Sequence, residues 1–382
     1  MTIVNITINN RKLQAQLGQT VYEAAEAAGV NIPVLCHHPA LPPEGACRVC
    51  LVEIERQRAL QPACTYPVTE GMVVHTDSPK VREARKFALE LIISDHPLDC
   101  MTCEATGDCG LQDLAYEYEV KGEKFAGGKQ HHYAIDDPNP FIQVDRNKCI
   151  LCRRCVRACN TINGVEAIGI VYRGFNAKIA FGMDSTMEDS PCEFCGSCVE
   201  VCPVGALWPK MSLGKGRPWQ MRQVETICSY CGVGCKLILH VRGNQIVKVT
   251  GGQGAANHGF TCVKGRFGYD YVNHPDRLSK PLVRRYLLEG EPKQDAKRNT
   301  QRASGGNGHD AIRNTQYDFV ETSWDTALDL VTKKLVETKK AAGGDAFAML
   351  CSARCTNEEN YLAMKLTRQV LQTHNIDHCA WL

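Results

Sequence analysis

Twenty-two of the 382 residues are cysteine, and nineteen of them lie between Cys36 and Cys262 in five sets. Thiols at this density either pair as disulfides or ligate metal. A chain that stays in a reducing cytoplasm does not keep disulfides, which leaves metal. Cys36, Cys47, Cys50 and Cys64 follow the spacing C-x10-C-x2-C-x13-C. Four thiolates hold either a zinc ion or an iron–sulfur cluster. Zinc sites pair two tight knuckles. Here only Cys47 and Cys50 are tight, and a long irregular loop with a distant fourth ligand suits a [2Fe–2S] cluster. Gly45 and Ala46 leave room for backbone amides to approach its sulfides. Cys100, Cys103 and Cys109 lack a fourth thiol, and His96 stands four residues before Cys100. Alone, a histidine before proline is an ordinary surface residue. Beside three cysteines short of one ligand, it reads as the fourth ligand of a [4Fe–4S] cluster, whose potential a neutral imidazole raises.

The stretch 136–210 holds the only internal repeat. CILCRRCVRAC (149–159) and CEFCGSCVEVC (192–202) share the spacing C-x2-C-x2-C-x3-C, 43 residues apart. This is the run of bacterial two-cluster ferredoxins, in which the fourth cysteine of each run serves the other cluster. The expected ligand sets are therefore Cys149, Cys152, Cys155 and Cys202 for one [4Fe–4S], and Cys192, Cys195, Cys198 and Cys159 for a second. Two zinc knuckles are the alternative. Pro203 follows Cys202 as the pattern expects, whereas Asn160 follows Cys159 and departs from it. The fifth set, Cys228, Cys231, Cys235 and Cys262, is spaced C-x2-C-x3-C-x26-C and suits a fourth [4Fe–4S]. Lys264 follows in K-G-R-F-G, where two glycines let backbone approach something large; a solvated charge is its plain reading. Cys351, Cys355 and Cys379 fit no cluster spacing and read as small buried residues or free thiols.

These ligands need elements to hold them. Val4, Ile6 and Ile8 alternate with polar residues as a half-buried strand does, and Asn9-Asn10 reads as a turn. Val21 to Ala28 reads as a short helix closed by Gly29. Val81, Ala84, Ala88, Leu91 and Ile92 recur at helical spacing over 80–93, which delivers the chain to His96. The polar stretch 289–315 reads as a surface loop or insertion. Helices follow near 325–340, with Leu328, Val331 and Leu335 on one face, and near 357–373, with Leu362, Leu366 and Val370 on one face. Thr356 and Glu359 form a capping box for the latter. The fold class is α+β, in several iron–sulfur domains. A β-grasp [2Fe–2S] domain occupies 1–76, a helical segment with one-histidine, three-cysteine ligation 77–135, and a two-cluster ferredoxin domain 136–215. A further [4Fe–4S] domain occupies 221–277, and the start of another domain, carrying the 289–315 insertion, occupies 278–382. Lys and Arg number 44 against 42 Asp and Glu, a net charge of +2. That balance gives no reason to expect nucleic acid or an anionic membrane as partner. No stretch reaches the ~18 apolar residues of a membrane span. No signal core or twin-arginine motif opens the chain, so the expected location is the cytoplasm.

The order of the five sets, over about 277 residues, resembles the catalytic (alpha) subunit of cytoplasmic NAD-dependent formate dehydrogenases. The first half also resembles the large iron–sulfur subunit of complex I and the iron-only hydrogenases. The hydrogenases lack the fifth set, and complex I subunits usually lack the duplicated run. The segment CSARCTNEENYLAMKLTRQVLQTHNIDHCA looks like the part of the formate dehydrogenases that supports a molybdenum or tungsten bis-molybdopterin guanine dinucleotide (bis-MGD) cofactor. By that resemblance Arg354, Thr356, Asn357 and Asn360 lie near the pterin, against a plain reading as helix caps and surface polarity. Lys264 would lie between the fifth cluster and the pterin as an electron relay. The resemblance implies formate oxidation, with electrons leaving through the fifth set, the ferredoxin pair and the His96 cluster to the [2Fe–2S] domain. Neither a G-x-G-x-x-G after a strand nor a flavin signature is present. The implied partner in a hetero-oligomer is therefore a flavin- and NAD-binding iron–sulfur subunit, with ferredoxin as another acceptor. In the family a segment like His378-Cys379-Ala380, followed by two residues (here Trp381 and Leu382), leads into the metal-binding cysteine or selenocysteine. The expectation is a formate dehydrogenase cut at its selenocysteine codon and, as written, inactive on formate. The alternative is a non-catalytic conduit subunit of an NAD(P)-linked complex related to complex I or to electron-bifurcating hydrogenases and transhydrogenases.

Overall fold

The structure, a computed structural model, describes residues 2–122, 125, 131–135, 138–289 and 319–378. Most of the expected 289–315 insertion, together with Cys379, Trp381 and Leu382, lies outside the described residues. The protein is mixed α/β, built of several small sheets and mostly short helices. It divides into two compact units, one of residues 1–228 and 233–270 and one of residues 229–232 and 271–382.

In the first unit, β1 (Ile3–Ile8) and β2 (Arg11–Gln16) form a hairpin. Asn9 and Asn10 turn it with φ of 47° and 65°, the left-handed pair that tight hairpins require. Val4, Ile6 and Ile8 point inward and are buried, as their alternation expects. Helix α1 (Val21–Ala27) starts in a full capping box between Thr20 and Glu23 and packs Val21, Ala24 and Ala25 on that core. The sheet is completed by β3 (Leu51–Ile54), β4 (Gln61–Pro62) and β5 (Val73–His75), in the order β2-β1-β5-β3-β4, with β5 parallel to β1.

Helix α2 (Pro79–Ile93) covers the expected 80–93 span, but its buried face differs from the expected one. Val81, Arg85, Leu89 and Ile93 are buried, whereas Leu91 is 48% exposed. A guanidinium sets this rotation. Arg85 donates through Nε and Nη2 to the Leu51 carbonyl (3.1 and 2.9 Å) and through Nη1 to the Tyr118 hydroxyl (2.9 Å). An arginine with these partners packs inside like an apolar residue, and no hydrophobic count anticipates it. Tyr118 caps the C-terminal end of α3 (Gly110–Glu117).

The repeat folds as two strand–loop–helix units. Strand β6 (Ile142–Val144) precedes α4 (Arg154–Arg157), and strands β7 (Ile168–Val171) and β8 (Lys178–Phe181) form a hairpin before α5 (Ser197–Glu200). Strand β9 (Leu207–Pro209) then returns antiparallel to β6. A three-stranded antiparallel sheet of β10 (Arg222–Ile227), β11 (Lys236–Arg242) and β12 (Gln245–Gly251), followed by α6 (Val263–Phe267), closes the unit.

The second unit contains β13 (Leu282–Arg284), α7 (Arg285–Glu289), β14 (Phe319–Glu321) and α8 (Trp324–Ala342). It ends with β15 (Met349–Cys351), α9 (Asn357–Lys365) and β16 (Ile376–His378). Both late helices form where expected, and Thr356 and Glu359 make the expected capping box. The apolar faces read from sequence are exposed here: Leu328 56%, Val331 55%, Leu362 60% and Val370 56%.

Arg85→Met should destabilise the first unit by about 2–3 kcal/mol, because it leaves the Leu51 carbonyl buried without a donor. A lowered urea midpoint at unchanged slope checks this; an unchanged midpoint would show that the three hydrogen bonds contribute nothing net.

Candidate metal centres

The duplicated run repeats in the backbone as well as in the sequence. Leu151 and Arg153 take φ of 51° and 59°, and their counterparts Phe194 and Gly196 take 52° and 75°. These left-handed residues curl each loop into α4 and α5, whose first turns carry the third thiol of each run, Cys155 and Cys198. The fourth cysteines cross over. Cys149, Cys152 and Cys155 share a small cavity with Cys202, against Ile150, Ile179 and Val204. Cys192, Cys195 and Cys198 share another with Cys159, against Ile142, Val165 and Ile168.

Both cavities have apolar walls, and that has an electrostatic consequence. Burial pushes the Cys149 thiol up to about 12 and the Cys152 thiol up to about 11, and it raises Cys155, Cys159, Cys198 and Cys202 as well. Backbone N–H groups oppose this in matched positions, from Val204, Ala206 and Leu207 onto Cys202, and from Glu166, Ala167 and Ile168 onto Cys159. Four thiolates in such walls need compensating cations, which cluster irons supply. Four thiols around one apolar cavity are the donor set that an iron–sulfur cluster requires.

Cys36, Cys47, Cys50 and Cys64 also converge. Cys50 Sγ lies 3.4 Å from Cys64 Sγ, and the Cys36 thiol interacts with both Cys47 and Cys64, which favours its thiolate form. Three of the four are buried in the β1–β5 domain, and Gly45 beside them holds φ of +68°.

Around Cys100, Cys103 and Cys109, the loop after α2 is held by Arg217, which donates to the carbonyls of Cys103 and Met101. His96 is buried, and its Nε2 is enclosed without any hydrogen-bond partner. Burial lowers its pKa, so the ring is neutral and has a free lone pair to offer. An orphaned buried imidazole nitrogen costs free energy unless something occupies it. The neighbouring run reaches this loop at Gly205, where an added Cβ would lie 2.7 Å from Cys103 Sγ, and at Pro203, whose carbonyl accepts from Gly110 N–H at 3.0 Å.

In the fifth set, Cys228 and Cys235 lie at the facing ends of β10 and β11, joined by Cys228 N–H to Cys235 C=O at 2.8 Å. Cys262 is the N-cap of α6, which carries the exposed Lys264. Cys231 belongs to the segment 229–232, counted with the second unit. There Tyr230 lies under the Arg354 guanidinium at 5.8 Å. Thr356 is occupied as the α9 cap, and Asn360 donates to the carbonyls of Ser352 and Cys355 at 3.3 and 3.4 Å. Asn357 and Asn360 also line an open cavity with Arg368, Asp377 and His378. Cys351 is half-buried in β15, and Cys355 is exposed.

Sequence reasoning missed the arginines interleaved with the cysteines. In C-R-R-C-V-R-A-C, Arg154 donates to the carbonyls of His37 and Val201, and Arg157 to those of Cys36, Pro42 and Cys152. Their i, i+3 placement on one helical turn was the available signal.

Comparison with known proteins places five families along the chain in order. They are a 2Fe-2S iron-sulfur cluster binding domain at residues 2–79, an NADH-ubiquinone oxidoreductase-G iron-sulfur binding region at 85–124, and an NADH-quinone oxidoreductase subunit 3 ferredoxin-like domain at 139–208. A molybdopterin oxidoreductase Fe4S4 domain follows at 221–274 and a molybdopterin oxidoreductase domain at 277–382. The chain is 36% identical to an NADH-quinone oxidoreductase subunit of Rhizobium meliloti, over 98% of this chain and 40% of that one. It is 35% identical to the NADPH-Fe(3+) oxidoreductase subunit alpha of Geobacter sulfurreducens, with the same coverage. A Staphylococcus haemolyticus protein named "Putative formate dehydrogenase" is 29% identical over 98% of this chain and 39% of its own length. The chain thus spans about 40% of the length of the curated relatives it matches. A crystal structure of an NAD+-reducing [NiFe]-hydrogenase superposes with a TM-score of 0.53 at 33% identity, over 56% of this chain and 91% of that one.

Gly205→Ala should push Cys103 Sγ out of place and remove or distort one centre only. Iron analysis of the anaerobically purified variant should fall by about four irons, the content of one [4Fe–4S]. Wild-type iron with an unaltered spectrum would show that the loop absorbs the methyl group.

Proposed function

We propose, for a chain that belongs to the oxidoreductases joining [2Fe–2S], [4Fe–4S] and molybdopterin-oxidoreductase domains, that it is the iron–sulfur electron-transfer part of an NAD-linked formate dehydrogenase. Cys36, Cys47, Cys50 and Cys64 would hold the [2Fe–2S]. His96 with Cys100, Cys103 and Cys109, the two crossed sets of the repeat, and Cys228 with Cys231, Cys235 and Cys262 would hold four [4Fe–4S]. The observation that carries this reading is the crossing of Cys202 and Cys159 into each other's cavities, which a pair of independent zinc knuckles has no use for. When bound, the clusters supply one-electron carriers between a molybdenum or tungsten pterin centre and a flavin- and NAD-binding partner.

The chain's own residues hold and insulate these carriers. The apolar walls exclude water and so limit the reorganisation that accompanies each change of charge. The backbone N–H groups on Cys159 and Cys202 stabilise added negative charge. His96, neutral and unpaired at Nε2, would raise the potential of its cluster relative to an all-thiolate one. Lys264, on the turn that Cys262 caps, would stabilise the reduced pterin side of the path.

A second reading is an electron conduit without its own molybdenum or tungsten chemistry, in an NADH- or NADPH-linked complex. The higher identities to an NADH-quinone oxidoreductase subunit and an NADPH-Fe(3+) oxidoreductase subunit favour it. Metal content of the native protein separates the two: iron with tungsten or molybdenum supports the first reading, and iron alone the second.

The chain should carry roughly 18 irons with matching acid-labile sulfide and no zinc. Stoichiometric zinc in place of iron would sink both readings. His96→Cys should keep its cluster and lower that cluster's potential, because an anionic ligand replaces a neutral one. Potentiometric EPR reads the shift; unchanged potentials at every centre would exclude His96 as a ligand.

A further inference from the structure

Arg157 occupies a place that the proposed wiring does not account for. It is 8% exposed, within the repeat, two residues after Cys155 and two before Cys159. Its Nη2 donates both to the carbonyl of Cys36 and to the carbonyl of Cys152, the latter at 3.3 Å. Nη1 donates to the Pro42 carbonyl, which anchors the same loop as Cys36. One guanidinium nitrogen therefore joins the peptide group of a ligand residue in the first cysteine set to that of a ligand residue in the third. Its positive charge is only loosely compensated. Glu44 Oε2 stands 3.7 Å from Nε, and the same carboxylate is shared with Arg153 at 2.8 Å.

We propose that Arg157 is a positioning residue that couples the centre of Cys36, Cys47, Cys50 and Cys64 directly to the centre of Cys149, Cys152, Cys155 and Cys202. The inference rests on the cluster reading above and adds a residue to it: the Arg157 guanidinium sets the exchange between these two centres. Each exchange oxidises one centre by one electron and reduces the other by one. No proton moves, because a guanidinium stays protonated throughout. Two effects follow from the same contacts. A buried cation between two groups that become more negative on reduction raises both potentials together. A continuous bridge of two hydrogen bonds through one nitrogen also conducts an electron better than the gap that would replace it.

Two variants separate the effects. Arg157→Met removes the charge and the bridge. Arg157→Lys keeps a charge but offers a compact ammonium without the planar fork that reaches three carbonyls. The full protein, purified anaerobically, is assayed for iron, titrated by potentiometric EPR, and photoreduced and freeze-quenched to follow the [2Fe–2S] signal against the [4Fe–4S] signals. In Arg157→Met the oxidised-to-reduced ratio at a fixed potential should shift about tenfold at two centres, which is about 59 mV for a one-electron couple, with the other three unmoved. The [2Fe–2S] signal should also equilibrate at least about tenfold more slowly. Arg157→Lys should recover most of the potential shift and little of the rate. Wild-type potentials and rate in Arg157→Met at full iron content would overturn the inference. So would loss of both clusters in Met and Lys alike, which would make Arg157 a structural clamp. A wild-type protein without any [2Fe–2S] signal would instead overturn the cluster reading, and this inference with it.

Discussion

Thiolate in an apolar wall is the constraint on which the rest of this structure depends. A cysteine sulfur bound to iron is an anion, yet Cys155, Cys198 and Cys159 sit among isoleucine, valine and phenylalanine side chains of one core. Without cations the same surroundings drive every one of these thiols toward the neutral form. Left neutral, these thiols sit in the apolar walls at no electrostatic cost. Ligating iron requires each of them to lose its proton, so occupation of these cavities by clusters is coupled to proton release. The left-handed residues at 151, 153, 194 and 196 favour that loss. They place amide hydrogens near sulfur, where charge develops, and are strained to do so except at the glycine.

Buried arginines are the complementary feature. Arg85, Arg157 and Arg266 are all nearly inaccessible. Carboxylates are not their main partners in the first two cases. Arg85 and Arg157 donate chiefly to backbone carbonyls at Leu51, Cys36, Pro42 and Cys152. A carbonyl satisfies the donors without cancelling the positive charge. Arg266 differs, since it is ion-paired with Glu200, the last residue of α5. Gly196 is required at that spot: an added Cβ would meet Arg266 Cδ at 2.1 Å, on top of a φ of +75°. The repeat has Arg153 at the matching position, where φ is 59° and an open exterior lets a side chain leave.

Much of this was legible in the sequence because cluster ligation leaves rigid spacings. The crossed sets of the repeat, the α9 capping box, the Asn9-Asn10 turn and the α2 span all follow from spacing and local rules. What escaped depends on long-range partners. The periodicity of α2 gives a helix, but only the Leu51 carbonyl and the Tyr118 hydroxyl, 34 and 33 residues from Arg85, decide that an arginine faces in. The spacing around His96 suggests a ligand, but only enclosure of Nε2 supplies a reason beyond arithmetic. The apolar stripes of α8 and α9 were correctly read as helical, yet amphipathicity cannot say what covers a stripe, and Leu328 and Leu362 are exposed among the described residues. For Thr356 the structure shows the plain reading, a hydroxyl that caps α9.

The short helix α4 and the turn that continues it carry an uncommon number of connections for so few residues. Cys155 faces one cavity and Cys159 the other, Arg154 holds the loop at His37 and the residue before Cys202, and Arg157 holds Cys36 and Cys152. The turn runs on as a wider helix from Ala158 to Asn163, ended by Gly164. Widening of this kind accommodates a residue whose side chain must leave the regular i, i+4 stripe. Here Cys155 and Cys159 are four apart, so an undisturbed α-helix would place both sulfurs on one face, and a single cavity would compete for them. Cys159 nonetheless lines the second cavity from the same stretch of chain, as Cys202 lines the first from the stretch that carries Cys198. One element can then hold two centres apart and still fix their relation, which is the geometric requirement for passing electrons between them at a defined separation.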